Sequence, residues 1–258
     1  EFGINYIRFP IIYTAHAYKA NKLYALKPTN GDADLATVRN SLASRRDSSG
    51  NIVSVAQDIP RPNTRYGYSC PRQLFEFAGT TNSLLRSEEV DNASWTKTNC
   101  TITANATTGP DGTSTADAMF ETVTSGQHRI EQAIVKTSST TAWSFSFYIK
   151  ANGRDWIYVS MRNGSNIINR WFNITTGTRG STSSSGASPY TNVSGSILDA
   201  GNGWYQVEMT GTPNSTLAMT VLIATSTGNG VTTDFAGDTS KGYYVWGLQL
   251  ENLPARTS

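Results

Sequence analysis

Carboxylates are the first candidates for chemistry in this 258-residue chain. Cleaving a glycosidic bond takes two of them across a cleft, one acting as acid and the other as base or nucleophile. Glu88, Glu89, Asp91, Glu121, Glu131, Asp155 and Glu208 are available, and nothing in their spacing pairs two. The two histidines, His16 and His128, lie in different segments, so neither a Ser/His/Asp nor a Cys/His arrangement is legible. His128 opens a strand with Arg129 and Glu131 and is expected at the surface or a pocket edge. Cys70 and Cys100 have no zinc spacing and are expected as free buried thiols, one disulfide being the alternative. Oxygen-rich turns suit calcium. Asp111 and Asp117 are the candidate ligands, with Asp234 and Asp238 beside them, and turn formation explains the same residues equally well. No other cofactor is expected.

Aromatic residues on alternating strands offer binding chemistry instead. In residues 143–150, Trp143, Phe145, Phe147 and Ile149 make a core face, leaving Ser144, Ser146, Tyr148 and Lys150 outward. By the same alternation Ile157, Val159 and Met161 turn inward, and Trp156, Tyr158, Ser160 and Arg162 outward. Phe172 and Ile174 turn inward and Trp171 outward; Tyr205, Val207 and Met209 turn inward, and Gln206 and Glu208 outward. If these strands share one sheet, its outer face gathers Tyr148, Trp156, Tyr158, Arg162, Trp171, Gln206 and Glu208. Sugar CH groups pack on such rings, and sugar hydroxyls pair with amide, carboxylate or guanidinium. The same residue types anchor protein interfaces, and a neighbouring subunit or the N-terminal arm covering this face is the plainer reading.

The elements that must position these residues are strands. Charged residues make up only 16% of the chain, and its polarity comes from Ser, Thr, Asn and Gly. Strands are expected near 95–103, 116–123, 128–137, 143–151, 156–162, 169–174, 194–199, 204–211, 217–225 and 242–250, with Gly/Asn turns between them. That number of short strands without helices suits a double-sheet jelly roll. The run 179–186, Arg-Gly-Ser-Thr-Ser-Ser-Ser-Gly, reads as a flexible surface loop. In the closing strand, alternation from Tyr244 places Tyr244, Trp246, Leu248 and Leu250 in the core and Tyr243, Val245 and Gln249 outside. Gly247 leaves room for a close approach to its backbone. Upstream, residues 4–13 form an apolar strip, 16–26 are weakly helical, 36–60 read as a hairpin, and 74–77 as a short strand.

Several stretches resemble the carbohydrate-binding-module-like jelly-roll domains of bacteriophage tail- and head-fibre proteins. Residues 81–97, with Asn92-Ala93-Ser94-Trp95, are similar to the start of that sandwich. Pro110-Asp111-Gly112-Thr113 is similar to its first long turn, and Gly203-Trp204-Tyr205-Gln206 and Tyr244-Val245-Trp246-Gly247-Leu248 to its late strands. Tyr18 to Tyr24, Arg45 to Ile52 and Cys70 to Glu76 are similar to the leader of such proteins. The resemblance implies an all-β protein with a jelly-roll β-sandwich over 86–258 and a β-rich arm and hairpin region over 1–85 for attachment and oligomerisation. It implies a non-enzymatic virion component on the tail or capsid surface, with other virion proteins and host-surface glycan as partners, assembled as a homotrimer. A capsid decoration protein without host ligand and a glycan depolymerase are the alternatives. A net charge of +2 gives no strong field toward nucleic acid or membrane. The longest apolar run falls far short of the roughly 20 residues of a spanning helix.

Overall fold

The computed structural model describes residues 82–135, 141–187, 189–214 and 218–252, together with the backbone of seven short strands between residues 12 and 73. The chain divides into two compact units, residues 1–78 and residues 79–257.

In the first unit, β1 (Ile12–Lys19), β2 (Lys22–Lys27) and β3 (Leu35–Ala36) form an antiparallel sheet. The stretch expected to be weakly helical is therefore a hairpin, with Lys19 opposite Lys22. Tyr13, Tyr18 and Tyr24 favour a pleated strand over a helix. β4 (Ala43–Arg46) pairs with β5 (Ile52–Val55) as the expected second hairpin, and β6 (Pro62–Thr64) pairs with β7 (Pro71–Gln73). The apolar strip 4–11, Gly50, Cys70 and the expected strand 74–77 lie outside the described residues.

The second unit is a β-sandwich, and no helix occurs among the described residues. Its strands are β8 (Thr96–Thr98), β9 (Cys100–Thr107), β10 (Ala116–Glu121), β11 (Ser125–Gly126), β12 (Arg129–Ile134), β13 (Trp143–Asn152) and β14 (Trp156–Asn163). They continue as β15 (Asn166–Asn173), β16 (Thr178–Ser185), β17 (Thr191–Gly201), β18 (Trp204–Thr212), β19 (Met219–Ser226), β20 (Phe235–Ala236) and β21 (Gly242–Glu251). One six-stranded sheet, here the front sheet, runs β17-β18-β13-β21-β10-β9; the back sheet runs β16-β15-β14-β19-β12-β8. Every pairing in them is antiparallel, and the chain crosses repeatedly from one sheet to the other, as a jelly roll requires.

Period-two alternation builds the core between the sheets. Phe145, Phe147, Ile149, Val207 and Met209 from the front meet Ile130, Ile157, Val159, Met161, Phe172 and Ile223 from the back. Each contributes about 1.5–3 kcal/mol of apolar burial. Trp95 is buried with them and donates its indole N–H to the Arg86 carbonyl at 3.0 Å. Leu84 belongs to the same core, so the sandwich takes in residues 82–85, which the sequence had placed in the N-terminal region. Ser83 N donates to Leu250 O at 2.8 Å and Leu248 N to Ser87 O at 3.0 Å, so this segment pairs with the last half of β21.

Two strands depart from expectation. The Ser/Thr run is not a loop but β16, the edge strand of the back sheet, exposed along almost its whole length. With both faces in water it carries no hydrophobic alternation to read. The second departure is β21, whose faces change over at Gly247. Ser146 pairs with Gln249 and Tyr148 with Trp246, so β21 has one residue more than β13 between these pairs. Gly247 takes it up at φ 62°, a bulge in the left-handed region that glycine adopts without strain. Tyr243 and Val245 consequently face the core before the bulge, and Leu248 and Leu250 after it. Tyr244 and Trp246, expected in the core, lie on the outer face.

Candidate functional site

The outer face of the front sheet is built around Tyr148. Phe147 and Ile149 point into the core, so the pleat turns Tyr148 outward. The register places it between Gln206 of β18 and Trp246 of β21. Gln206 Nε2 donates to Tyr148 Oη at 2.9 Å, fixing the ring from one side. On the other, the Trp246 ring lies 5.6 Å from the Tyr148 ring, centroid to centroid, tilted by 59°. Trp246 Nε1 donates to Thr115 Oγ1 at 3.0 Å. A glycine lies against each ring, and at Gly109 the missing Cβ gives Trp246 room. A Cβ on Gly247 would come 3.5 Å from Tyr148 Cδ2, and one on Gly109 would come 3.1 Å from Trp246 Cδ1.

Lys150 lies opposite Trp204 and Tyr244, and Glu208 opposite Ser146. Glu208 Oε1 accepts a hydrogen bond from Ser144 Oγ at 2.9 Å. Trp204 is buried, whereas Tyr148, Tyr244 and Trp246 are half-buried and pack against it with Ala116 and Ala200. Exposed Leu198 continues the row beyond Gln206. The face thus offers three ring surfaces beside an amide, an ammonium and a carboxylate. That set has the chemistry to stack on and hydrogen-bond a polyhydroxylated ligand. Trp246, Tyr244 and Lys150 were missing from the sequence-derived set, and a glycine inside an otherwise regular strand was the signal that could have found the two aromatics.

The seven residues expected on one face occupy two. Tyr148, Gln206 and Glu208 stand on the front sheet, while Trp156, Tyr158 and Arg162 of β14 and Trp171 of β15 stand on the back sheet. The premise of a single sheet fails because the chain crosses to the back sheet between β13 and β14. On the back face Tyr158 and Trp171 are each only 2% exposed. Their rings lie 5.8 Å apart, on Leu222 and Ala224. Residues 227–234 cover them: Trp171 Nε1 donates to Val231 O at 3.0 Å, and Ser181 N donates to Asn229 Oδ1 at 2.7 Å. Trp156 and Arg162 remain half-buried at the margin of this patch, and Arg162 Nε donates to Ser160 Oγ at 3.3 Å. Burial raises the Tyr158 hydroxyl above the usual phenol range and lowers Arg162.

The described candidate carboxylates are spread over both sheets and the loops between strands. Glu131 belongs to the back sheet, where Arg129 Nε donates to it at 3.0 Å, and Glu208 to the front. Glu121 is held by Arg154 through two bonds, Nε–Oε1 at 2.8 Å and Nη2–Oε2 at 2.6 Å, and also accepts the Asp238 amide at 3.0 Å. Asp111 accepts the amide of Thr113 at 3.0 Å and its hydroxyl at 2.7 Å, closing its own turn. Buried Asp117 accepts the amides of Val90 and Asn105, both at 2.9 Å, while burial raises it above the usual carboxylate range. Asp238 accepts the amide and hydroxyl of Ser240, which lower it. Asp111 and Asp117 are thus engaged as parts of the fold. Among the described residues no group of three or more His, Cys, Asp or Glu is placed to hold a metal ion.

His128 is fully buried, not at the surface as expected. Its Nδ1 lies 2.7 Å from Asn99 O and its Nε2 3.2 Å from Phe235 O, and its ring packs on Phe235 at 4.8 Å. It ties β20 to the sandwich. Cys100 is a half-buried free thiol, pushed up to about 11 by burial.

No family model matches the chain, and no curated protein matches it. Solved structures do, at low identity. The enzymatically active domain of tailspike protein 4 of bacteriophage CBA120 is similar over 66% of this chain, with 14% identity and a TM-score of 0.40. This chain spans only 21% of that one. The carbohydrate-binding module TmCBM61, solved with beta-1,4-galactotriose, is similar over 66% of this chain and 98% of its own, with 9% identity and a TM-score of 0.39. A proposed sugar-binding protein from Bacteroides thetaiotaomicron is similar over 67% of this chain and 94% of its own, with 12% identity and a TM-score of 0.36.

Proposed function

We propose that this chain is a non-enzymatic surface component of a bacteriophage particle, a fibre or similar exposed protein, that holds host-surface glycan on the outer face of its front sheet. The row of Gln206, Tyr148 and Trp246 supports this reading best. Two rings already fixed by hydrogen bonds lose little freedom when a sugar stacks on them. Gln206 in the same row, and Glu208 and Lys150 in the rows on either side of it, meet its hydroxyls. Residues 1–78 attach the sandwich to other virion proteins and assemble it as a homotrimer.

Calorimetric titration with the surface polysaccharide of the host tests the assignment. Tyr148→Phe keeps the ring and loses the hydroxyl that accepts from Gln206, and weakens binding a few-fold. Tyr148→Ala weakens it about ten-fold or more, as truncation of a central aromatic anchor does. Unchanged affinity in Tyr148→Ala refutes the site. A reducing-end release assay separates binding from cleavage: cleavage that disappears in Glu131→Gln or Glu208→Gln would make the chain a depolymerase. Electron microscopy of intact particles locates it on head or tail, and a capsid position without glycan binding would support a decoration protein.

A further inference from the structure

Arg170 lies on β15 between Ile168 and Phe172 and shares their inward direction. It is 9% exposed, and its buried Nε has no hydrogen-bond partner among the described residues. Gly195 of β17 lies against its stem: a Cβ there would come 2.6 Å from Arg170 Cδ and 3.0 Å from Nε. Arg179 of β16 reaches the same glycine, donating from Nη1 to the Gly195 carbonyl at 3.1 Å. Two guanidinium groups therefore converge on one buried backbone position, where the edge strand of the back sheet passes the edge strand of the front sheet.

No ion pair joins either arginine to a carboxylate among the described residues. Burial first, and Arg179 second, push Arg170 below the usual guanidinium range. Elsewhere the fold pairs its arginine: half-buried Arg154 is held by buried Glu121 through two bonds. A buried guanidinium without a counter-charge is costly. Arg179 is exposed, so the pair opens toward solvent.

We propose that Arg170 and Arg179 form a binding site for an oxyanion, the carboxylate or sulfate group of an acidic sugar or the same group as a free ion. The guanidinium fork matches a carboxylate or sulfate edge with two parallel N–H bonds. Arg170 supplies the buried charge, and Arg179, anchored on Gly195, guards the way in. The site lies at the sandwich edge, apart from the Tyr148 row, and does not depend on glycan binding there.

The test is titration of the whole chain with sodium glucuronate, sodium sulfate and glucose at constant ionic strength, followed by calorimetry, with circular dichroism confirming each variant's fold. The wild type binds glucuronate saturably and glucose not at all, and Arg170→Met weakens glucuronate about ten-fold or more. Arg179→Gln, an exposed change, weakens it in the same direction and carries the test if Arg170→Met fails to fold. Saturable sulfate binding without glucuronate binding also supports the site and makes a free anion its ligand. The proposal is overturned if neither anion binds saturably, or if both folded variants bind as the wild type does.

Discussion

Gly247 and Gly242 lie in the same strand, yet alanine should affect them very differently. Gly247 holds the bulge that turns Trp246 outward, at φ 62°. A Cβ there meets nothing nearer than Tyr148 Cδ2 at 3.5 Å, so the cost of Gly247→Ala is backbone strain alone. Left-handed geometry costs a non-glycine residue about 1–2 kcal/mol, and the stiffer unfolded chain returns about 0.4–1 kcal/mol. The net loss is about 1 kcal/mol. Gly242 has no such room, since its Cβ would lie 1.8 Å from the Met119 carbonyl oxygen. Strands β10 and β21 would have to part by roughly 1.5 Å to restore van der Waals contact. That breaks the ladder where Met119 faces Tyr243 and Phe120 faces Gly242, beside fully buried Tyr243. Two or three backbone bonds left buried and unmade cost about 3 kcal/mol or more. Urea unfolding followed by tryptophan fluorescence measures both. Gly247→Ala should lower the midpoint by about 0.5 M with an unchanged slope, and Gly242→Ala should remove most of the folded baseline. A Gly247→Ala loss as large as that of Gly242→Ala, or a Gly242→Ala loss under about 1 kcal/mol, would refute the assignment of backbone strain to the first position and steric closure to the second.

Other expectations follow from the same contacts. Arg154→Met leaves the fully buried Glu121 carboxylate without its counter-charge and should cost about 3 kcal/mol or more in chemical denaturation, and Glu121→Gln, which leaves the charge on the half-buried arginine, should cost less. In a Cys70→Ser background, Cys100 should react with a thiol reagent at pH 8 about 100-fold more slowly than an ordinary thiol, because its thiolate forms only near pH 11. The raised value also means that folding stability falls as pH rises from the unfolded thiol's range near 9 toward 11, which a pH series of unfolding midpoints checks. Trp171→Phe removes the bond to Val231 and should cost about 1 kcal/mol of stability while leaving glycan affinity unchanged.

The sequence carried most of the sandwich because buried strands leave a period-two record. Phe145, Phe147 and Ile149 on β13, and Ile157, Val159 and Met161 on β14, face the core as their spacing implied. Where the record is absent or double, the reading failed. β16 has solvent on both sides and so reads as a loop. β21 carries aromatic or apolar residues on both alternations, Tyr243 and Val245 against Tyr244 and Trp246, and only the bulge at Gly247 decides between them. Alternation fixes which way a side chain points within its own strand. It does not say which sheet that strand joins, so Tyr148 and Trp156 were placed on one face. Nor does it say what lies above, so Tyr158 and Trp171 read as open rings although residues 227–234 cover them. His128 was misplaced for the same reason, since its two backbone partners come from residues 29 and 107 positions away.

The central claim is that the front face, and not the back, carries the ligand. Affinity gel electrophoresis in host polysaccharide compares the two directly, using Tyr148→Ala and Trp156→Ala with folding checked by circular dichroism. Loss of retardation in Tyr148→Ala with full retardation in Trp156→Ala is the expected result. Full retardation in Tyr148→Ala together with loss in Trp156→Ala would contradict it and move the site to the back sheet.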